Sequence, residues 1–291
     1  MIRYDYDPAR VHAEIALLDG NWLTTAASRT STFLKAGKYD EKSSIWSTVK
    51  PVFMTLQKNK CVFCERQFEN RKYGTIEWDL EHFRPKSSVL GWPCPTRHAT
   101  LSYPFSTGGD SPDGYYWLAY DLENYAASCK VCNSPLKSNF FPVGAVRGTV
   151  SSTVTALTAS EQPFLCYPIG VLDVDPETLI TFDATTAVPV HSAGPLHDRA
   201  KVIIDFFGLN TRDQLHYERA ESIVMFGGAF HARHLGVARD SQLELIAGIG
   251  TPHLAHANCL RAYHRLWQTD VARALDIFDL CNRLVASNGT R

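Results

Sequence analysis

The sequence predicts an α+β fold, in which a cysteine-bearing segment with short extended pieces lies between two largely helical regions. Apolar residues recur at three- and four-residue steps near both ends of the chain, as in amphipathic helices. The middle lacks that period and carries two Cys-x-x-Cys pairs. A length of 291 residues with an apolar fraction of 45% is enough for one large domain or two modest ones.

Residues 1–58 are predicted to form an N-terminal helical extension. Residues 8–18 favour a short helix. A second helix is expected from about Ile45 to Gln57, and Pro51 marks either a kink or the first turn of that helix.

Residues 59–145 differ from the flanking regions in composition and are predicted to form a separate core. Short extended pieces are expected in 59–90, with a polar turn at Asn70 to Gly74. Residues 91–114 are rich in proline and glycine and predict an exposed loop insertion.

Residues 146–291 are predicted to be mostly helical and to support the core or dock a partner. The Thr- and Ser-rich stretch 147–162 favours a linker or exposed loop. Asn210 is expected to cap a helix that ends near Phe226, before Gly227-Gly228. Strands are predicted at Thr178–Phe182 and Ala187–Val190, and further helices at about 196–207, 238–247 and 254–286, the last with a break near Thr269.

The charge of the chain is nearly balanced. A formal net charge of −1 argues against a surface coated with positive charge, so any affinity for nucleic acid would need a partner or a focused groove. No run of about 18 apolar residues and no charged-then-apolar leader is present, so we expect a cytoplasmic protein without a membrane partner.

Four of the eight cysteines form two pairs of identical spacing, Cys61-x-x-Cys64 and Cys129-x-x-Cys132. Two such knuckles typically make a closed tetrahedral zinc site, and all four positions are then taken by sulfur. We therefore predict a structural Zn²⁺. Buried free thiols are expected for Cys166, Cys259 and Cys281.

A second motif lies between the cysteine pairs and consists of Glu81-His82-Phe83-Arg84-Pro85-Lys86. On an extended chain Glu81 and His82 point to opposite faces, so one can hold a metal while the other addresses a water molecule. Histidine has a pKa suited to a base near neutral pH, and Arg84 and Lys86 are candidates to bind a phosphate. Further polar residues follow, at Asn124, Asn133, Lys137 and Asn139.

This order of motifs resembles that of HNH endonucleases with a ββα-metal fold. It is most similar to a bacterial branch with Glu-His-Phe-x-Pro-Lys followed by Cys-x-x-Cys-Asn, whose members include nuclease subunits of Septu and other anti-phage defence systems. The resemblance covers about Cys61 to Pro142, and a looser likeness continues to Leu209.

The resemblance implies roles for individual residues. His82 would be the general base and Asn124 the asparagine that holds the loop and orients it. Glu81 and Asn133 would bind a catalytic Mg²⁺ or Mn²⁺, with Asn139 as a substitute because Lys137 stands one place later than in the commonest spacing. Arg84, Lys86 and Lys137 are the residues expected to contact substrate phosphate.

The implied activity is hydrolysis of phosphodiester bonds in nucleic acid, with DNA the expected substrate. The defence resemblance also implies an ATPase partner subunit. Two alternatives remain open at this point. One is a zinc-ribbon module that binds nucleic acid or protein without cutting. The other is a degenerate nuclease, which the glutamate at position 81 would fit.

Overall fold

The computed structural model describes residues 1–68 and 77–288, which form two compact units. The N-terminal unit contains Tyr4–Val62 and Phe68–Val174. The C-terminal unit contains Met1–Arg3, Phe63–Gln67 and the chain from Asp175 onward. The compact units thus divide after Val174, later than the sequence-based boundary at residue 146. The turn expected at Asn70 to Gly74 lies outside the described residues.

The N-terminal unit begins with helices α1 (Pro8–Leu18), α2 (Trp22–Ala36) and α3 (Lys50–Leu56). The first and third confirm the predicted helices. A 3₁₀ turn at Trp46–Val49 precedes α3 and Pro51 lies in its first turn, where a missing N–H costs nothing. Helix α2 was missed because its exposed positions are mostly Thr, Ser and Ala, which leave a narrow buried stripe.

The stretch 147–162 corrects the prediction of a linker. Helix α4 (Val154–Glu161) lies there, and the Thr153 side chain caps it by accepting a hydrogen bond from the N–H of Ala156. Val154 and Leu157 are buried one turn apart. The helix is short, so a composition rich in Thr and Ser masked its apolar spacing.

Two strands, β1 (Trp78–His82) and β2 (Tyr125–Cys129), pair antiparallel. The register sets Trp78 opposite Cys129 and His82 opposite Tyr125. A helical turn of π type follows β2 directly at Cys132–Lys137. The two strands and the helical turn therefore carry half of the candidate site residues that the sequence singled out.

The loop 91–114 has no regular helix or strand, as predicted, but it is anchored. Trp92 is buried, and its carbonyl accepts a hydrogen bond from the hydroxyl of Thr107. Phe105 stacks on both Tyr103 and Phe164. The aromatic contacts hold an insertion that the proline and glycine content alone marks as exposed.

The C-terminal unit opens with a hairpin of β3 (Ile180–Asp183) and β4 (Thr186–Pro189), close to the predicted strands. Its helices also match the predicted pattern and are α5 (Pro195–Phe206), α6 (Asp213–His234), α7 (Asp240–Ala247), α8 (Ala257–Thr269) and α9 (Val271–Asn288). Among the described residues, none of these or the earlier helices has the length and apolarity needed to cross a membrane.

Asn210 corrects a second prediction, because it does not cap α6. Its side chain instead accepts from the N–H of Ala187 at 2.7 Å and donates to the carbonyl of Ala187 at 2.8 Å. Both bonds hold the loop against strand β4. The N-cap position of α6 is Arg212, whose side chain makes no capping bond.

Helix α6 also continues past the glycine pair expected to end it. A Cβ atom at Gly227 would stand 2.3 Å from Cδ2 of Phe278 on α9, so the missing side chain leaves room for that ring. Nothing lies within 4 Å of the Cβ position at Gly228, which is exposed. One glycine is thus required by helix packing and the other is not.

We expect Gly227→Ala and Gly228→Ala to change stability in opposite directions. Overpacking at Gly227 should lower the free energy of unfolding by about 1–3 kcal/mol. Alanine at Gly228 should raise it by about 0.5–1 kcal/mol, because the unfolded chain loses freedom. Urea unfolding followed by circular dichroism measures both, and equal effects would contradict the packing of Phe278 against Gly227.

Candidate functional site

The four paired cysteines form one cluster. Their sulfur atoms all lie within 4.8 Å of one another, and all four residues are buried. Backbone N–H groups point at two of the sulfurs, from Cys129 to Cys61 at 3.4 Å and from Cys132 to Cys129 at 3.5 Å. Four buried sulfurs with N–H donors around them suit a tetrahedral zinc ion and leave no position for a catalytic water.

The cysteine cluster adjoins the sheet. Cys129 is the last residue of β2 and pairs with Trp78, the first residue of β1, while Cys132 begins the helical turn. An ion bound to these sulfurs would therefore fix the end of β2 and the start of the turn that carries Asn133 and Lys137.

His82 is the last residue of β1 and is 6% exposed. Its Nε2 lies 3.0 Å from the carbonyl oxygen of Ala119. Because a carbonyl oxygen only accepts, Nε2 carries the proton and Nδ1 of the neutral ring is left as the acceptor. The rings of Trp46 and Tyr125 meet the imidazole edge-on, with centroids at 4.9 and 5.1 Å.

The carbonyl of Ala119 is itself fixed, since it also accepts a 2.6 Å hydrogen bond from the Tyr125 hydroxyl. Burial lowers the pKa of His82 well below its ordinary value, and the ammonium of Lys86 lowers it further. The ring is therefore neutral near pH 7 and held in one tautomer. Sequence reasoning missed Tyr125, whose register opposite His82 is known only once the strands are paired.

Asn124 is fully buried and ties two segments together. Its Oδ1 accepts from the N–H of Arg84 at 2.7 Å, and its Nδ2 donates to the carbonyls of Arg84 and Leu118 at 3.0 and 3.2 Å. The backbone carbonyl of Asn124 accepts from the N–H of Phe83. These bonds hold the two residues that follow His82 and the residue that precedes Ala119.

Glu81 lies on the opposite face of β1 from His82 and is buried with Lys137. The Lys137 ammonium is 3.3 Å from the Glu81 carboxylate, and its side chain is fully buried. Burial raises the pKa of Glu81 and lowers the pKa of Lys137, while the attraction between them opposes both shifts. Lys137 is thus the counter-ion of Glu81 and is not available to bind a phosphate at the surface, contrary to the expectation from sequence.

Asp79 shares the face of β1 that carries Glu81, and sequence reasoning missed it. Its carboxylate accepts from the amide of Asn133 at 3.1 Å and from Lys130 at 2.8 Å. Burial alone would raise the pKa of Asp79, but these hydrogen bonds lower it below its ordinary value. The signal in the sequence was the two-residue step from Asp79 to Glu81, which places both on one side of a strand.

Arg84 also departs from its expected role. It is fully buried, its Nε lies 3.1 Å from the Glu161 carboxylate, and its Nη2 donates to the Thr158 hydroxyl. A buried pair of this kind is structural, because removing either partner leaves an uncompensated charge. Glu161 had no role in the sequence-based interpretation, since helix α4 was not predicted.

Lys86 and Asn139, the remaining residues expected at the site, have other contacts. Lys86 is half-buried, and its ammonium stands 4.5 Å from the centroid of the Trp46 ring. Asn139 donates from its amide to the Ser88 hydroxyl at 3.0 Å. Of the two asparagines considered as metal ligands, Asn133 is therefore the one placed beside the carboxylate face of β1.

Comparison with known proteins gives one match. The relative is the Septu protein PtuB of Bacillus mycoides (strain KBAB4). It is 31% identical over 117 residues, which are 40% of this chain and 34% of PtuB. The chain thus spans about a third of the relative's length. No family model and no solved structure matches the chain.

We expect purified protein to contain about one tightly bound zinc ion per chain, because all four sulfurs converge. Cys129→Ser should lose that ion and unfold at lower temperature. Cys94→Ser is the matched control, since Cys94 is only partly buried and lies outside the cluster. Elemental analysis by mass spectrometry gives the zinc content. A folded, zinc-free Cys129→Ser protein with unchanged melting would refute the site.

Proposed function

We propose that the chain is a metal-dependent endonuclease of the HNH type that serves as the nuclease effector of a bacterial anti-phage defence system. Strands β1 and β2 and the helical turn at Cys132–Lys137 would be its ββα-metal core. The observation that carries the proposal is the buried His82, held in one tautomer at the end of the strand that also bears Glu81.

His82 acts as the general base in this proposal. The Ala119 carbonyl keeps the proton on Nε2, so Nδ1 is the atom that takes a proton from water. Trp46 and Tyr125 restrict rotation of the ring, and the lowered pKa keeps it unprotonated near neutral pH. Hydroxide formed beside His82 then attacks phosphorus in line with the leaving oxygen.

Glu81 and Asn133 are the proposed ligands of a catalytic Mg²⁺ or Mn²⁺. Carboxylate and amide oxygens are the donors that such hard cations prefer. Because the Asn133 nitrogen donates to Asp79, its amide oxygen is left as the free ligand atom. A bound divalent ion would stabilise negative charge on the phosphate and the leaving oxygen. The Lys137 ammonium, 3.3 Å from the Glu81 carboxylate, balances the buried negative charge of Glu81.

The substrate and the partner are proposed from similarity to other proteins and not from the geometry of the site. We propose nucleic acid, with DNA as the expected substrate, because phosphodiester hydrolysis is what the HNH motif implies. An ATPase subunit of the same defence system is the proposed partner. The similarity to a Septu protein supports the proposed role in a defence system.

Replacing His82 should separate chemistry from binding. We expect His82→Ala to lose about 10²-fold or more in cleavage rate, the scale of general-base removal. Zinc content and affinity for substrate should hardly change, because His82 belongs to neither the cysteine cluster nor a phosphate contact. Plasmid cleavage is measured with Mg²⁺, Mn²⁺ and EDTA, with and without the genomic neighbours of the gene.

His191→Ala is the matched control, since His191 is exposed and lies in the C-terminal unit. A melting curve for each variant excludes general unfolding as the cause of lost activity. If His82→Ala cleaves as fast as the unmodified protein in every metal, His82 is not the base and the HNH assignment fails. If the unmodified protein itself cleaves in no metal, a binding module without catalysis explains the four-cysteine site.

The two asparagines provide a test of the metal ligands. We expect Asn133→Ala to raise the Mg²⁺ concentration needed for half-maximal cleavage by about tenfold or more. Asn139→Ala should leave it unchanged, because Asn139 bonds to Ser88 instead. Mn²⁺ binding followed by electron paramagnetic resonance gives a readout independent of activity. The assignment is wrong if Asn139→Ala has the larger effect.

A further inference from the structure

Two of the cations that the sequence assigned to substrate phosphate are already engaged within the core. Arg84 is paired with Glu161 and Lys137 with Glu81, and all four side chains are buried. The whole chain has a formal net charge of −1. Affinity for a nucleic acid depends largely on cations that contact its phosphates. A nuclease built on this core therefore needs positive charge elsewhere.

A cleft of about 620 Å³ in the C-terminal unit collects such charge. It lies where the end of α6 meets α7, the following 3₁₀ turn and α8. No carboxylate is among the residues that line it. Three arginines and a histidine surround an apolar floor: Arg233, Arg261, Arg265, His264, Ile246 and Ile249.

The three arginines differ in how far they are already engaged. Arg261 is paired with Glu177 and donates to the carbonyls of Ile249 and Gly250, so it holds the rim of the cleft. Arg265 is exposed, and among the described residues its guanidinium group reaches the Thr181 hydroxyl at 3.4 Å and no carboxylate. Arg233 is exposed at the end of α6, and within residues 1–68 and 77–288 no carboxylate pairs with it. Arg233 and Arg265 thus remain for a ligand.

His264 adds a flat surface between these charges. One face of its ring is stacked on Phe230, with centroids 4.9 Å apart and planes 6° from parallel. Burial lowers the pKa of His264, and Arg233 and Arg265 lower it further, so these guanidinium groups act on the ring. Proteins that bind single-stranded nucleic acids combine aromatic rings, on which bases stack, with cations that contact the phosphates. A neutral ring beside two arginines is such a combination.

We propose that this cleft binds the backbone of a nucleic acid strand, with phosphates at Arg233 and Arg265 and a sugar or base over His264 and the apolar floor. The inference rests on the proposed nuclease function and adds where substrate is held. A guanidinium group binds a phosphate through two parallel hydrogen bonds. An acidic peptide would use the same arginines but gains nothing specific from the flat ring, so nucleic acid is the favoured occupant.

The test uses the full chain carrying His82→Ala, so that the probe is not cut. Fluorescein-labelled DNA and RNA oligonucleotides, single-stranded and duplex, are titrated by fluorescence anisotropy at several salt concentrations. We expect Arg233→Gln with Arg265→Gln to weaken binding by at least about tenfold and to reduce the salt slope by about two, one for each phosphate contact. Zinc content and melting temperature should be unchanged.

Arg273→Gln is the matched control, because Arg273 is an exposed arginine of the same unit that pairs with Asp183 outside the cleft. It should bind the probes as the parent does. Equal affinity of the double variant and its parent overturns the inference, as does a parent that binds poly-glutamate but no oligonucleotide. Absence of cleavage by the chain with native His82, together with lost binding in the double variant, would refute the nuclease and leave the cleft assignment intact.

Discussion

The convergence of four buried sulfurs is the constraint on which the candidate site depends. Cys61 and Cys64 are separated from Cys129 and Cys132 by more than sixty residues of chain, much of it loop. Within the described part of the chain the sheet between them has two strands, and a two-stranded sheet has little stability of its own. A metal ion on the sulfurs would fix one end of that sheet, and through it the positions of His82 and Asn133.

Burial of charge is the second constraint. Glu81, Arg84, Lys137 and Glu161 are all removed from water, and each is neutralised by one partner from another part of the N-terminal unit. Such pairs cost desolvation, so their value lies in fixing positions more than in stabilising the fold. They also engage Arg84 and Lys137, two of the cations that the sequence motif assigned to substrate phosphate. In the proposed nuclease, catalysis and the binding of substrate phosphates would therefore use different residues.

Local sequence signals predicted several elements well. The helix predicted over residues 8–18 is α1, and in the structure the Asp7 side chain caps it, with Pro8 in its first turn. The spacing of the cysteines predicted their convergence, because two identical Cys-x-x-Cys pairs are typical of one tetrahedral metal site. Helix α2 and helix α4 were missed for the same reason, since Thr and Ser at exposed positions hide a buried stripe that exists only when its partner is known. The prediction for Asn210 was wrong because its side chain hydrogen-bonds to Ala187 of strand β4 instead of capping a helix.

By itself the sequence determined the candidate residues for the chemistry: four cysteines, a Glu-His pair and three asparagines in a fixed order. The spacing of cysteines and the alternation of side chains along a strand involve only a few neighbouring residues, so they can be recognised in the sequence. Only the tertiary structure decided which of these residues face a partner. It paired Glu81 with Lys137, Arg84 with Glu161 and the His82 ring with the Ala119 carbonyl. Those partners lie 37 to 77 residues away along the chain or on elements that the sequence did not reveal, and burial makes each pairing obligatory because an unpaired charge or donor in the interior is costly.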